Sequence, residues 1–472
     1  MTVQADVATH NPGGGRGRII QDWRPEDPAY WASTGRRIAT RNLAISIPSL
    51  LLAFSIWMLF SVVSVNLPRA GFAFDTNQLF LLVALPSLSG ATLRIFYSFV
   101  IPLFGGRRWT ALSTALLLIP ALWLGFAVQD PNTPYWVFVA IAICCGLGGA
   151  NFSSSMSNIS FFYPKARQGF ALGMNAGLGN LGVSVTQFVV PQVIAFSIFG
   201  ALSGAPQQVK DGTALFLQNA GLLWVPLLLA CVVAAWFGMN DIASVRSSFA
   251  QQALIFRRKH NWLMCWLYVG TFGSFIGFSA GFPMLMKTQF PEVNALAYAF
   301  LGPLVGALTR PLGGVLADRL GGARITFWVF ALMAAAVFAV LHFLPGAHGA
   351  GNFFGFLASF LTLFVLTGIG NGSTFRMIPV IFRTLHERWS ARADAQGKAA
   401  ATRQAGIESA AVVGFSGAIG AYGGFFIPKS YGSSIALTGG PEAALYVFVA
   451  FYATCLAATW WWYYRRGAEV PC

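Results

Sequence analysis

Residues 91–108 read ATLRIFYSFVIPLFGGRR. Arg94 lies inside an apolar run that begins near Gln78 and lasts to Phe104. About thirteen helical residues, roughly 20 Å at helical rise, separate Arg94 from Arg107. A side chain cannot snorkel over that distance. Shifting the numbering by 216 lays Gly90, Ala91, Arg94, Gly105, Gly106, Arg108 and Thr110 on Gly306, Ala307, Arg310, Gly321, Gly322, Arg324 and Thr326, like on like and without a gap. The chain reads as two copies of one design, each with an arginine inside an apolar span.

The wider composition agrees. The 472 residues are 56% hydrophobic and 15% aromatic, with only 10% charged, where a soluble chain carries about 25% charged residues. Apolar stretches of bilayer-spanning length recur throughout. The class is an all-α membrane protein of twelve transmembrane helices, beginning near Leu43, Gln78, Trp109, Trp136, Gln168, Gly221, Trp262, Ala295, Ile325, Phe353, Glu408 and Ala443. The polar stretch 240–261 parts the spans into sixes. The expected organisation is a segment over 1–42, a six-helix bundle over 43–239, a linker over 240–261, a second bundle over 262–464 and a tail over 465–472.

The net charge of +15 follows this topology rather than a nucleic-acid footprint. Twenty-three of the 30 basic residues fall on the amino-terminal side of the spans. Arg69, Lys210, Lys287 and Lys429 fall on the other, and Arg94, Arg310 and Arg376 within spans. The positive-inside rule then places both termini in the cytoplasm. Trp460-Trp461-Trp462-Tyr463-Tyr464-Arg465-Arg466 reads as an interfacial anchor. The six cysteines have no metal-ligand spacing and read as small buried hydrophobes. No secretory signal pattern opens the chain.

An arginine at the centre of a span costs roughly 2.5–3.5 kcal/mol on the translocon scale, so it needs a watery cavity or a partner. Of the fifteen carboxylates only Glu408 enters a span, near its amino-terminal-side edge. The partner that remains is an anionic substrate; the competing reading satisfies both arginines with backbone carbonyls. A guanidinium is a planar fork suited to multi-oxygen anions and stays charged at physiological pH. One small anion could bridge the halves between Arg94 and Arg310.

Several side chains are placed to line such a site. Asn175 and Asn180 bring amides into span 5, where they need partners. Tyr268 and Phe272, four apart, share a helix face and could sandwich a flat anion, though ordinary packing explains such pairs as well. Arg376 either joins the anion site or sits in the vestibule. Glycine runs at 146–149, 173–182, 368–372 and 414–424 allow close helix contact. None of the five histidines lies mid-span, so no proton relay is visible. No nucleotide loop, catalytic triad or metal set appears, so neither an enzyme nor a cofactor is expected.

The stretch GGVLADRLG (313–321), with Asp318 and Arg319, resembles the loop signature of the major facilitator superfamily; the first-half copy has Pro102 in place of the acid. GANFSSSMSNISFFYPK (149–165), GMNAGLGNLGVSVTQ (173–187), GNGSTF (370–375) and GFSGAIGAYGGFFIPK (414–429) resemble the nitrate/nitrite porter family. DWRPEDPAYW (22–31) is similar to its bacterial NarK-type members. The resemblance implies a transporter of nitrate and nitrite in the bacterial inner membrane, with Arg94 and Arg310 holding substrate and Phe152, Asn180, Tyr268 and Phe272 lining the pocket. Some relatives carry glutamine where this chain has Arg376. The expectation is nitrate/nitrite antiport by a monomer embedded in lipid. The alternatives are nitrate/proton symport, with Glu408 as proton carrier, and an anion channel or nitrate sensor.

Overall fold

The computed structural model describes residues 18–200, 204–209, 212–243, 254–346 and 351–472. Three of the charges used above, Arg16, Lys210 and Arg246, lie outside these residues. Among the described residues eleven helical segments are long and apolar enough to cross a bilayer. In chain order with the remaining long helix they are α1 (Pro28–Asn66), α2 (Thr76–Tyr97), α3 (Gly106–Ala127), α4 (Tyr135–Phe162), α5 (Lys165–Val193), α6 (Asn219–Gly238), α7 (Lys259–Gln289), α8 (Ala295–Leu320), α9 (Gly322–Phe343), α10 (Phe353–Trp389), α11 (Ala395–Thr438) and α12 (Glu442–Tyr464). The helix not among the eleven is α5, which has the length but is diluted by glycines, Asn175, Asn180 and Gln187.

Two helices start well before their apolar runs. α1 begins at Pro28, fifteen residues before Leu43, because Asp27 caps it through the Ala29 and Tyr30 amides and proline suits the first helical position. α11 begins at Ala395, thirteen residues before Glu408, with Asp394 capping the Gly397 amide. The intervening AQGKAAATRQAGI is polar but rich in strong helix formers. Both helices therefore extend past the hydrophobic segment that marked them in the sequence.

The 216-residue repeat is visible in backbone geometry. Gly105 and Gly321 both take positive φ, 80° and 92°, immediately before α3 and α9. Only glycine adopts that conformation without penalty. The next equivalent pair, Arg107 N–H and Ala323 N–H, donates to the chain just past each half's last helix: to Asp241 Oδ1 at 2.8 Å and to the Cys472 carbonyl at 2.9 Å. In the first half Asp241 also holds the buried Arg107 side chain at 3.2 Å. Beside it a two-residue parallel ladder joins β1 (Ile19–Ile20) to a strand at Asp241–Ile242.

These contacts seat the described ends of the chain, Ile19–Ile20 and Cys472, beside the starts of α3 and α9, and this side of the molecule is called here the terminal face. Hydrogen bonds between the halves run from mid-depth to the opposite, far face. Thr92 and Tyr422 share one at 2.9 Å. Gln187 Nε2 donates to the Ser279 carbonyl at 2.6 Å, and Lys429 Nζ to Asn77 Oδ1 at 2.9 Å. Phe188 meets Phe300 edge-on at 5.0 Å. Towards the terminal face, by contrast, Gly169, Gly173 and Gly177 of α5, Gly314 of α8 and Gly406 and Gly414 of α11 border open space.

Candidate functional site

Arg94 is placed by close helix packing. At Gly90, one turn earlier on α2, an added Cβ would press on Trp57 Nε1 and the Gly146 carbonyl of α4. At Gly146 itself an added Cβ would collide with the backbone of Gly90 and Pro86, so glycine is needed there for α2 and α4 to approach this closely, and the approach brings Arg94 Nε to the Gly149 carbonyl at 2.8 Å. Its Nη1 crosses to the other half and donates to the Gly417 carbonyl of α11 at 2.9 Å. The side chain is 0% exposed.

Aromatic rings enclose the guanidinium. Its central carbon lies 4.9 Å from the Trp57 and Phe152 ring centroids and 5.4 Å from that of Phe272. Each such contact contributes about 0.5–2 kcal/mol, more where water is excluded. Trp57 is fixed by its own hydrogen bond to the Pro86 carbonyl at 2.9 Å.

Arg310 occupies the equivalent position on α8. It lies 5.5 Å from the Phe375 ring centroid, and its Nη2 reaches the Tyr268 hydroxyl at 3.4 Å. Tyr268 and Phe272 stack with centroids 5.4 Å apart and planes 21° apart. The pair spans the two guanidiniums, with Tyr268 at Arg310 and Phe272 at Arg94. A π-helical turn over Val269–Gly273 breaks the regular register of α7 here; such turns frequently occur at functional sites.

Both readings of the arginines find support. Arg94 does use backbone carbonyls, but its Nη2 is buried without a hydrogen-bond partner, and so is Nη1 of Arg310. Among the described residues no carboxylate pairs with either. The fully buried Arg94 and the partly buried Arg310 thus each keep one buried donor nitrogen unused, against flat aromatic walls. That arrangement can clasp a small planar anion.

The other candidates are distributed around this pair. Phe152, Tyr268 and Phe272 belong to it directly. Asn175 donates its amide to Ser155 Oγ of α4 at 2.8 Å and leaves its buried Oδ1 unpartnered. Asn180 is buried with its Oδ1 unpartnered. Arg376 is half-exposed and forms an ion pair with Asp318 rather than turning to Arg310. Arg319 is exposed at the end of α8.

Sequence reasoning missed Trp57, which looks like any core tryptophan, and the carbonyls of Gly149 and Gly417. Their only signal was membership of glycine runs. It also missed the surroundings of Glu408. That carboxylate is fully buried and receives two hydrogen bonds from Arg258, at 2.9 and 3.0 Å. His386 Nε2 stands 3.2 Å away and Gln404 donates at 3.3 Å.

The profile of the Major Facilitator Superfamily matches residues 49–407. The chain is 56% identical over 450 residues to a nitrate/nitrite transporter, NarU, of Salmonella typhimurium, covering 95% of this chain and 96% of that one. It is 55% identical over 455 residues to the Escherichia coli NarU, with the same coverage. A probable nitrate/nitrite antiporter, NarK2, of Thermus thermophilus is 41% identical over 466 residues, 97% of this chain and 99% of that one. Among solved structures, a D-xylose–proton symporter superposes with a TM-score of 0.62 at 14% identity, over 89% of this chain and 96% of the other. That likeness speaks for the fold alone. With a superfamily profile over most of its length and full-length relatives at this identity, the chain belongs to the NarK-type nitrate/nitrite porter family of the major facilitator superfamily.

Proposed function

We propose that this protein exchanges nitrate and nitrite across the bacterial inner membrane by alternating access, the anion held at mid-depth between Arg94 and Arg310. The observation that carries the reading is the repeat-related pair of guanidiniums, Arg94 fully buried and Arg310 partly so, each with a buried donor left unused and, among the described residues, no carboxylate partner. The names of the relatives supply the substrates. The excess of basic residues on the terminal face supports a cytoplasmic location for that face.

Exchange follows from electrostatics. Two permanent cations repel each other strongly once water is excluded from between them. Closing both faces around the empty site is therefore costly, and a monovalent anion between the guanidiniums relieves the repulsion. The carrier would reorient only when loaded. The hydrogen-bonded far face and the open glycines of the terminal face support reading this conformation as open to the cytoplasm.

Proton symport would need a titratable group in the path. Glu408 is held by Arg258 in a two-pronged pair, which makes it a poor proton carrier and favours exchange. The deciding experiment uses purified protein in liposomes, with labelled nitrate outside, nitrite inside or absent, and an internal pH dye. Uptake that requires internal nitrite and leaves the pH unmoved is the expected result. Uptake into nitrite-free vesicles with internal acidification overturns exchange in favour of symport.

A further inference from the structure

Away from the arginine pair, a cleft of about 410 Å³ opens at the terminal face between the end of α10 and the start of α11. Its chemistry is two-sided. Arg383 and Lys398 supply positive charge. Arg383 spends its Nε on Glu387 at 2.7 Å, which leaves the terminal guanidinium edge available.

The opposite chemistry comes from three acceptors. Glu387 is a carboxylate. Ser390 and Thr402 line the cleft and each donate their hydroxyl hydrogen to a backbone carbonyl one turn back, of His386 at 2.7 Å and of Lys398 at 3.0 Å, so toward a ligand their oxygens can only accept. His386 forms the floor, only 7% exposed, with Nε2 close to Glu408 but unbonded to any protein group in hydrogen-bond geometry.

Acceptors beside cations argue against a bare oxyanion, which offers no hydrogen to donate. The volume argues the same way, since one water accounts for only about 30 Å³ of liquid. A ligand with a phosphate for Arg383 and Lys398 and hydroxyls for Glu387, Ser390 and Thr402 uses both sides.

We infer that this cleft binds a hydroxylated phosphate ester of the glycerophosphate type, either the headgroup of phosphatidylglycerol or a soluble phosphate ester. Its occupant ties α10 to α11. Through His386 and Glu408 it also reaches Arg258, at the leading end of α7, the helix that holds Tyr268 and Phe272. Occupancy steadies the terminal-face ends of three helices at once.

The test uses the full-length protein in detergent and in phosphatidylcholine liposomes. Thermal stability is measured with short-chain phosphatidylglycerol, with glycerol 3-phosphate and with inorganic phosphate, for the wild type and for Arg383→Gln/Lys398→Ser. Both positions are exposed, so the variant should fold. A rise of about 2–4 °C at saturating ligand is expected for the wild type, and little or none for the variant. A response to phosphatidylglycerol alone identifies the lipid headgroup; an equal response to glycerol 3-phosphate identifies a soluble ester. Equal responses of wild type and variant overturn the inference. So does a response to inorganic phosphate as large as that to the esters, because the acceptor side would then recognise nothing.

Discussion

At the scale of single residues, the proposed anion site would rest on nitrogen atoms rather than on charge alone. Arg94 places Nε on Gly149 and Nη1 on Gly417, and a lysine has one nitrogen to serve both. Hydrogen bonds from charged groups contribute about 1.5–3 kcal/mol each. Arg94→Lys and Arg310→Lys should therefore lower exchange in liposomes by roughly a hundredfold or more; near-normal exchange in either would remove that arginine from the substrate site. Phe152 acts more gently. Phe152→Leu keeps an apolar, somewhat smaller side chain but loses one ring face, worth about 0.5–2 kcal/mol, so the nitrate KM should change several-fold with the fold intact by circular dichroism. Glu408→Gln strips a half-buried Arg258 of its partner. It should lower the melting temperature yet leave nitrite-dependent nitrate uptake in place, and loss of that uptake only when a pH gradient drives it would restore the symport reading.

At the scale of elements, the glycines separate into two populations that behave differently. At Gly182 and Gly423 an added Cβ would run into backbone, of Leu51 and Gly273 respectively, so alanine there should unfold or seriously destabilise the protein. At Gly173 and Gly177 it meets open space. If α5 packs against the other half when the terminal face closes, Gly173→Ala and Gly177→Ala should leave thermal stability unchanged and slow exchange. Unchanged exchange in both would mean that this stripe takes no part in closure. The tail is a second element with its own test. Burial pushes the Glu469 carboxyl up, but the hydrogen bond from Lys259 and the adjacent His260 outweigh it and hold it below the ordinary carboxylate range. A depressed carboxylate adds stability above its unfolded value and loses it as pH falls through its folded one. Protection of the tail from carboxypeptidase should thus persist through neutral pH and fail only below the normal carboxylate range. A tail released near pH 6 would contradict the role given to Glu469.

At the scale of the whole molecule, the halves meet through few directed bonds on the far face, chiefly Gln187 to Ser279 and Lys429 to Asn77. Neutral and singly charged hydrogen bonds of this kind are easily exchanged for water, as the alternating access proposed above would require. Cysteines at Asn77 and Lys429, in a background without reactive native thiols, should cross-link under oxidation. Exchange should then stop and return on reduction. Exchange that continues at full rate in the cross-linked protein would refute far-face opening as part of the cycle.

The sequence alone determined the architecture and the central pair. Hydropathy reports which segments must leave water, and an arginine in such a segment is costly enough to stand out. The gap-free repeat around Arg94 and Arg310 survives because each half needs the same glycine turn before its third helix, a local requirement written in local residues. Helix starts at Pro28 and Ala395 were obscured because helices extend beyond apolar runs, where hydropathy is silent. Tertiary structure alone decided the partners. Whether Arg376 turns to substrate or to Asp318, whether Asn175 is free or tied to Ser155, and which carbonyls receive Arg94 all depend on how α2, α4, α8, α10 and α11 cross. Those contacts join residues tens to hundreds of positions apart, and no periodicity along one chain encodes which side chain will stand across a helix interface.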